Sequence, residues 1–190
     1  MISVIIPTEG VEQPVVATLS ALVSGAAAGL VRDVVLVERT QSDAARHVAD
    51  VAGCHFIRHE GSRAAALAAG VRAARAPWLM FLYPGAVLDA GWIDETAQFI
   101  ETIPPRGKPL AAMFRYAPSP YAKNGVGETL QRLSRLIAGP STEQGLLIAR
   151  DHYDRLGGYA DDARHAEARL LAKIGRAGRI MLRTRIFVPA

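Results

Sequence analysis

The chain has 190 residues, half of them apolar and 21% charged, with one cysteine and a formal net charge of +4. That is enough for one domain with a sizeable core and too little for a second independent one. A lone cysteine excludes an internal disulfide framework and a cysteine-based zinc site, and no apolar run approaches the ~20 residues a membrane span requires.

Ile2-Ser3-Val4-Ile5-Ile6 is rich in β-branched residues and stops at Pro7-Thr8, which predicts a buried strand opening onto a loop. Val15, Val16, Leu19, Leu22, Val23 and Ala26 recur at three- and four-residue intervals and predict a helix that Gly29 ends. Val34 to Val37 reads as a second strand, and a polar run from Glu38 to Asp43 leads into a helix through Val51, with Asp43 placed to cap it. Cys54 to Ile57 is the third strand, its cysteine expected as a buried thiol in a reducing compartment. Ser62 is placed as the N-cap of a helix carrying Leu67, Val71 and Ala74, and Trp78 to Leu82 is an apolar run of strand length. A further helix is expected from about Asp89, its cap, to Ile103, with Trp92, Thr96, Phe99 and Ile103 on one face.

From Pro104 the rhythm changes. Pro104 to Pro109 is linker-like, Leu110 to Phe114 a short strand, and Ala117 to Gly127 irregular. Leu130, Leu133, Leu136 and Ile137 line one side of a helix whose other side carries Gln131, Arg132 and Arg135; this fits a core-packed surface helix or one resting on a membrane. Leu146 to Ala149 is a strand, Asp151 to Leu156 a short helix ended by Gly157-Gly158, Arg164 to Ile174 a helix stopped at Gly175, and Arg179 to Val188 one or two strands. Four strand-helix units in succession predict a three-layer α/β/α sandwich around a mainly parallel, Rossmann-like sheet. Ligands of such sheets bind beyond the carboxyl ends of the strands, so chemistry is sought first in the loop Tyr83-Pro84-Gly85-Ala86. It contains no carboxylate.

In order and spacing these segments resemble the family-2-like glycosyltransferases of the GT-A fold, and more closely their short, single-domain bacterial members. The resemblance is carried by Ile2 to Thr8, by Val35-Leu36-Val37-Glu38 with Ser42-Asp43, by Ser62-Arg63-Ala64 running to Gly70, by Ala73 to Leu82 and by Gly91-Trp92. It continues in Glu143-Gln144-Gly145-Leu146 ahead of Leu156-Gly157-Gly158-Tyr159. It covers nearly the whole chain and implies one domain, with residues 1–103 as the nucleotide-binding half and 104–190 as the acceptor-side half. The implied activity is transfer of a sugar from a nucleoside-diphosphate sugar to an acceptor. That needs groups for the nucleotide, positive charge on the leaving diphosphate and a carboxylate base.

The resemblance puts Pro7, Thr8, Glu38, Asp43 and Arg63 at nucleotide-binding positions, Glu38 standing where an aspartate is usual. Gly10-Val11 replaces the family's Asn-Glu pair and Ala68 an asparagine. Read from the residues alone, Asp43 serves equally as a helix cap and Arg63 as a solvated first-turn residue. The family's acidic metal motif falls on Tyr83-Pro84-Gly85, which offers no hard side-chain oxygen suited to Mg²⁺ or Mn²⁺. Tyr83 and Gly85 remain as ligand-contact positions, and at most a weakly held Mg²⁺ or Mn²⁺ is expected. Glu167 falls at one of two acidic base positions, with Ala166 as its neighbour, and Glu143, Gln144 and Gly145 fall on the acceptor side. The expected protein is a glycosyltransferase with little or no metal dependence, or an inactive homologue that binds a sugar nucleotide, a glycan or a protein. The basic residues are scattered, without the aromatic interleaving of a nucleic-acid platform. The expected location is the cytoplasm, with peripheral contact at the inner face of the membrane left open.

Overall fold

The computed structural model describes residues 1–103, 109–118, 144–160 and 165–188. Its first half keeps the predicted rhythm: β1 (Ile2–Thr8), α1 (Glu12–Ala27), β2 (Val31–Glu38), α2 (Ala44–Ala52), β3 (His55–Arg58), α3 (Arg63–Ala73) and β4 (Trp78–Phe81). The described elements then continue with β5 (Val87–Leu88), α4 (Trp92–Thr102), β6 (Ala111–Pro118), β7 (Leu146–Ala149), α5 (Arg150–Arg155), α6 (Ala166–Ile174) and β8 (Arg179–Val188). The eight described strands form one sheet in the order β3-β2-β1-β4-β7-β6-β8-β5. β3, β2, β1 and β4 are parallel. Beyond β4 the sheet is mixed, because β7 runs antiparallel to both β4 and β6, and β5 antiparallel to β8.

Alternation along β1 decides which helix packs where. Ile2, Val4 and Ile6 join a cluster with Val15, Leu19 and Leu22 of α1 and Trp92 and Phe99 of α4. Ile5 points the other way, into a cluster with Leu67 and Val71 of α3, Tyr153 of α5, and Leu170 and Leu171 of α6. The result is the three-layer arrangement expected, with α1, α2 and α4 on one face and α3, α5 and α6 on the other. Each fully buried Leu, Ile or Val contributes about 1.5–3 kcal/mol.

Helix α3 is buried more completely than its single apolar stripe suggests, with every residue from Ala64 to Val71 inside. Small side chains allow this. A Cβ on Gly70 would lie 2.5 Å from Ile5 Cγ2 and 3.0 Å from Val37 Cγ2, so the helix backbone rests almost directly on β1 and β2. Ser62 caps its start by accepting from Ala65 N–H at 3.0 Å. At its other end Arg150 donates to the carbonyls of Val71, Ala74 and Ala76 at 3.0, 2.8 and 3.2 Å, a cationic C-terminal cap that ties the antiparallel half of the sheet to α3.

Several boundaries differ from expectation for local reasons. Asp89 does not cap α4, which begins at Trp92 after Gly91 in the left-handed conformation (φ 86°). Val87-Leu88 pairs with the edge of β8 instead, and Asp89 accepts from Arg185 Nε at 2.8 Å. Asp43 stands at the start of α2 but makes no side-chain cap bond; Ser42 Oγ accepts from Ala44 N–H at 3.2 Å in its place. Cys54 is half-buried, and burial pushes its thiol above the ordinary value. Leu110 to Phe114 grows into a strand reaching Pro118, and Arg179 to Val188 is one strand. The helix expected around Leu130 to Ile137, with Arg132 and Arg135, and the acceptor-side Glu143 lie outside the described residues. Among those described, no helix is long and apolar enough to cross a membrane.

Candidate functional site

β1 and β2 end side by side, Thr8 in register with Glu38. Glu38 has 0% exposure, and four donors hold its carboxylate. Thr8 Oγ1 (2.7 Å) and Gly10 N–H (3.1 Å) donate to one oxygen, and Thr40 N–H (2.7 Å) and Thr40 Oγ1 (2.6 Å) to the other. Burial pushes the Glu38 carboxyl up, but the bonds from Thr40, Thr8 and Gly10 more than reverse this and leave it below its ordinary value. Gly10 is required here. Its φ is 77°, and a Cβ would come within 3.1 Å of Thr40 Oγ1. Glu38 is thus a clasp that joins the loops after β1 and β2.

A second group opens to solvent beside this clasp. Glu9 Oε1 accepts from Arg39 Nη1 at 2.5 Å and from Arg63 Nη2 at 2.8 Å. Arg39 follows β2, and Arg63 is the first residue of α3, so one carboxylate oxygen gathers guanidinium groups from two separate elements. The Arg63 hydrogen bond, with both arginine charges, holds Glu9 below the usual carboxylate range. Burial draws the Arg63 guanidinium down, while Glu9 and the nearby Tyr83 raise it on balance.

Arg63 also lies over the ring of Tyr83, 5.1 Å from its centroid. Tyr83 is the first residue beyond Leu82 at the end of β4, and its hydroxyl donates to Glu167 Oε1 in the first turn of α6. His165 occupies the N-cap position of that helix with φ 59°, the one non-glycine among the described residues with positive φ, and makes no side-chain cap bond. Beneath lies an aromatic floor: Phe81 and Tyr159 meet edge to face at 5.1 Å, and Tyr153 accepts from Tyr159 N–H at 2.9 Å. Burial pushes the Tyr159 phenol well above its ordinary value, reinforced by Tyr83 and Glu167 nearby.

The other sequence-predicted residues are placed as follows. Pro7 is buried in β1 opposite Val37. Asp43 is exposed and faces Arg58 at 2.7 Å and Arg46 at 3.3 Å, and the Arg58 hydrogen bond lowers its carboxyl. Gly85, with φ 88°, donates its N–H to Pro14 O at 2.8 Å, which pins the loop after β4 to the start of α1. Gln144 Nε2 reaches Phe114 O at 3.4 Å. Gly145 has φ 68°, and a Cβ there would lie 3.1 Å from Leu82 and Phe114, so it allows β7 to enter beside the end of β4. The geometry therefore unites Thr8 with Glu38, and Arg63 with Tyr83 and Glu167.

A scan of protein-family models and a search of curated protein sequences match nothing to this chain. Solved structures do match. TarS from S. aureus (residues 1–349) superposes with a TM-score of 0.71 at 14% identity, over 99% of this chain and 60% of that one. The mannosyltransferase PcManGT from Pyrobaculum calidifontis, in complex with GDP-Man and Mn²⁺, gives 0.67 at 18% identity, over 98% and 56%. Glucosyl-3-phosphoglycerate synthase from Mycobacterium tuberculosis, in complex with Mn²⁺, UDP and glucosyl-3-phosphoglycerate, gives 0.61 at 14% identity, over 98% and 70%.

This chain has the GT-A fold. It spans about 60% of the length of the TarS fragment it matches. Because two of these GT-A structures hold Mn²⁺, the donors at the end of β4 matter. The Tyr83 hydroxyl is directed at Glu167, and neither Pro84 nor Gly85 has a side-chain oxygen to offer a metal. No group of three or more His, Cys, Asp or Glu is placed to hold a metal among the described residues. The residues present do not fit a metal there. Among the described residues, Arg39 and Arg63 bring guanidinium groups to this rim of the GT-A sheet beside Tyr83, and Arg58 ends β3 next to them. Sequence reasoning passed over Glu9, Arg39 and Thr40. The available signal was polar residues directly beyond two parallel strands, at the two loop starts whose backbones meet through Arg39 N–H and Thr8 O at 3.1 Å.

Proposed function

We propose that the crevice binds a nucleoside-diphosphate sugar and transfers its sugar to an acceptor with little or no metal dependence. Residues 1–103 would supply the nucleotide side and 104–190 the acceptor side. The observation that carries this reading is Arg63. It stands at the start of α3, against the ring of Tyr83 and beside the end of β4, where the GT-A fold presents a ligand and where the loop Tyr83-Pro84-Gly85-Ala86 carries no carboxylate of its own. A planar guanidinium suits a phosphate, and the positive end of the α3 dipole adds to it. As the bond between the anomeric carbon and the diphosphate oxygen breaks, Arg63 would stabilise the negative charge left on that oxygen. Glu167 would take the proton of the acceptor hydroxyl whose oxygen forms the new bond to the anomeric carbon. Gln144 would orient acceptor hydroxyls from the end of β7.

Titration calorimetry with a panel of UDP- and GDP-sugars tests this. Binding with a Kd below ~1 mM, equal in Mn²⁺ and in chelator, is expected; no heat with any sugar nucleotide at that concentration overturns it. A second reading is favoured by one contact. The Tyr83 hydroxyl donates to Glu167, the proposed base, as a module that binds without transferring would allow. Transfer by the purified protein that disappears in Glu167→Gln rules out that second reading.

A further inference from the structure

We propose that Glu9 occupies the seat of a phosphate: Arg39 and Arg63 form a two-guanidinium subsite for the diphosphate, which the chain fills with its own carboxylate until the ligand displaces it. This rests on the nucleotide-binding reading above and adds to it two residues, Arg39 and Glu9, with the exchange between them.

Four observations converge. The two arginines come from different elements, one after β2 and one opening α3, yet both donate to the same oxygen of Glu9. A single anionic oxygen already sits where a phosphate oxygen bridging the two would sit. The group is poised to exchange. The Glu9 side chain is 45% exposed and that of Arg63 40%, so neither is locked in the core, unlike Glu38 one loop away. Arg39 is less exposed, at 26%, and its Nε is buried without an acceptor among the described residues, a donor left over beside the cluster. Finally, the charge changes in the right direction. Glu9 and the nearby Glu167 oppose the two guanidiniums, and departure of Glu9 raises by one the positive charge that a diphosphate meets there. The rest of the loop is held independently of Glu9, through Gly10 and Thr8 on Glu38, so Glu9 can swing out while its neighbours stay fixed.

The consequence is a competition. Glu9 lowers the apparent affinity for any anion on Arg39 and Arg63, because the empty subsite is only a fraction of the population. UDP, GDP and inorganic pyrophosphate are titrated by calorimetry into the wild-type chain, Glu9→Gln and Arg39→Met, with thermal melts checking that each variant folds. Glu9→Gln is expected to bind all three about twofold to fivefold more tightly, within the range an exposed ion pair is worth, and Arg39→Met more weakly than the wild type. UDP or GDP that binds the wild type and Glu9→Gln equally, or binds Glu9→Gln more weakly, overturns the subsite while the nucleotide reading stands. Failure of every probe to bind wild type and Glu9→Gln alike overturns both.

Discussion

Glu9 and Glu38 stand at the same rim of the sheet, one loop apart, and their surroundings are opposite. Glu38 is completely buried and takes hydrogen bonds from two threonine hydroxyls and two backbone amides, all uncharged donors of fixed geometry. Glu9 is half-exposed and is held by two guanidinium groups at the ends of long side chains. A buried carboxylate without its donors strands both itself and them, whereas an exposed ion pair exchanges with water and salt at little cost. Glu38 therefore builds the rim, and Glu9 holds a place on it. Sequence position alone ranks them the other way, since Glu38 matches a nucleotide-contact position and Glu9 matches none.

Substitutions separate the two roles. Glu38→Ala removes the shared acceptor of four donors and should lower stability by about 3 kcal/mol, read as a fall in the urea midpoint with the slope unchanged; a change within error would mean the clasp contributes nothing. Because the Glu38 pKa is depressed in the folded state, its contribution is full above the unfolded carboxylate range and is lost as pH falls through the folded value. An acid melt of Glu38→Gln should accordingly lose less stability on acidification than the wild type, and parallel curves would contradict that sign. Arg63→Met should weaken UDP or GDP binding by about tenfold to a hundredfold, the worth of one charge-assisted hydrogen bond, while its melting temperature stays near the wild-type value. Equal loss of binding and of fold would move Arg63 from ligand contact to scaffold. The Glu9→Gln change in affinity is smaller and of opposite sign. Smallest of all is Asp43→Asn, at an exposed carboxylate, which should leave both nucleotide affinity and melting temperature near wild-type values; a clear loss of affinity would place Asp43 in the nucleotide site.

The fold was legible because its signals are local and repeated. β-branched runs such as Ile2 to Ile6, the cap at Ser62 and the stop at Gly29 each restrict the backbone where they occur. The short strand at Val87-Leu88 was not legible, since two residues carry no period and owe their pairing to a distant strand. At the site, the sequence could show that the loop after β4 carries no carboxylate, but not that the Tyr83 hydroxyl meets Glu167 or that Gly85 N–H meets Pro14 O. What could not be read was pairing across the chain. Tyr83 with Glu167, and Glu9 with Arg63, join residues on different elements whose meeting depends on where α3 and α6 begin relative to the ends of β1 and β4. Gly145 shows the same limit. The sequence places it on the acceptor side, and only the structure shows its left-handed backbone, with Leu82 and Phe114 where a Cβ would stand.

The most direct test of the account is a calorimetric titration of UDP and GDP, in excess chelator, into the wild-type chain and Arg63→Met. Binding to the wild type without metal, weakened by about tenfold or more in a folded Arg63→Met, is the predicted result. Binding that needs Mn²⁺, or that ignores the loss of Arg63, would contradict it.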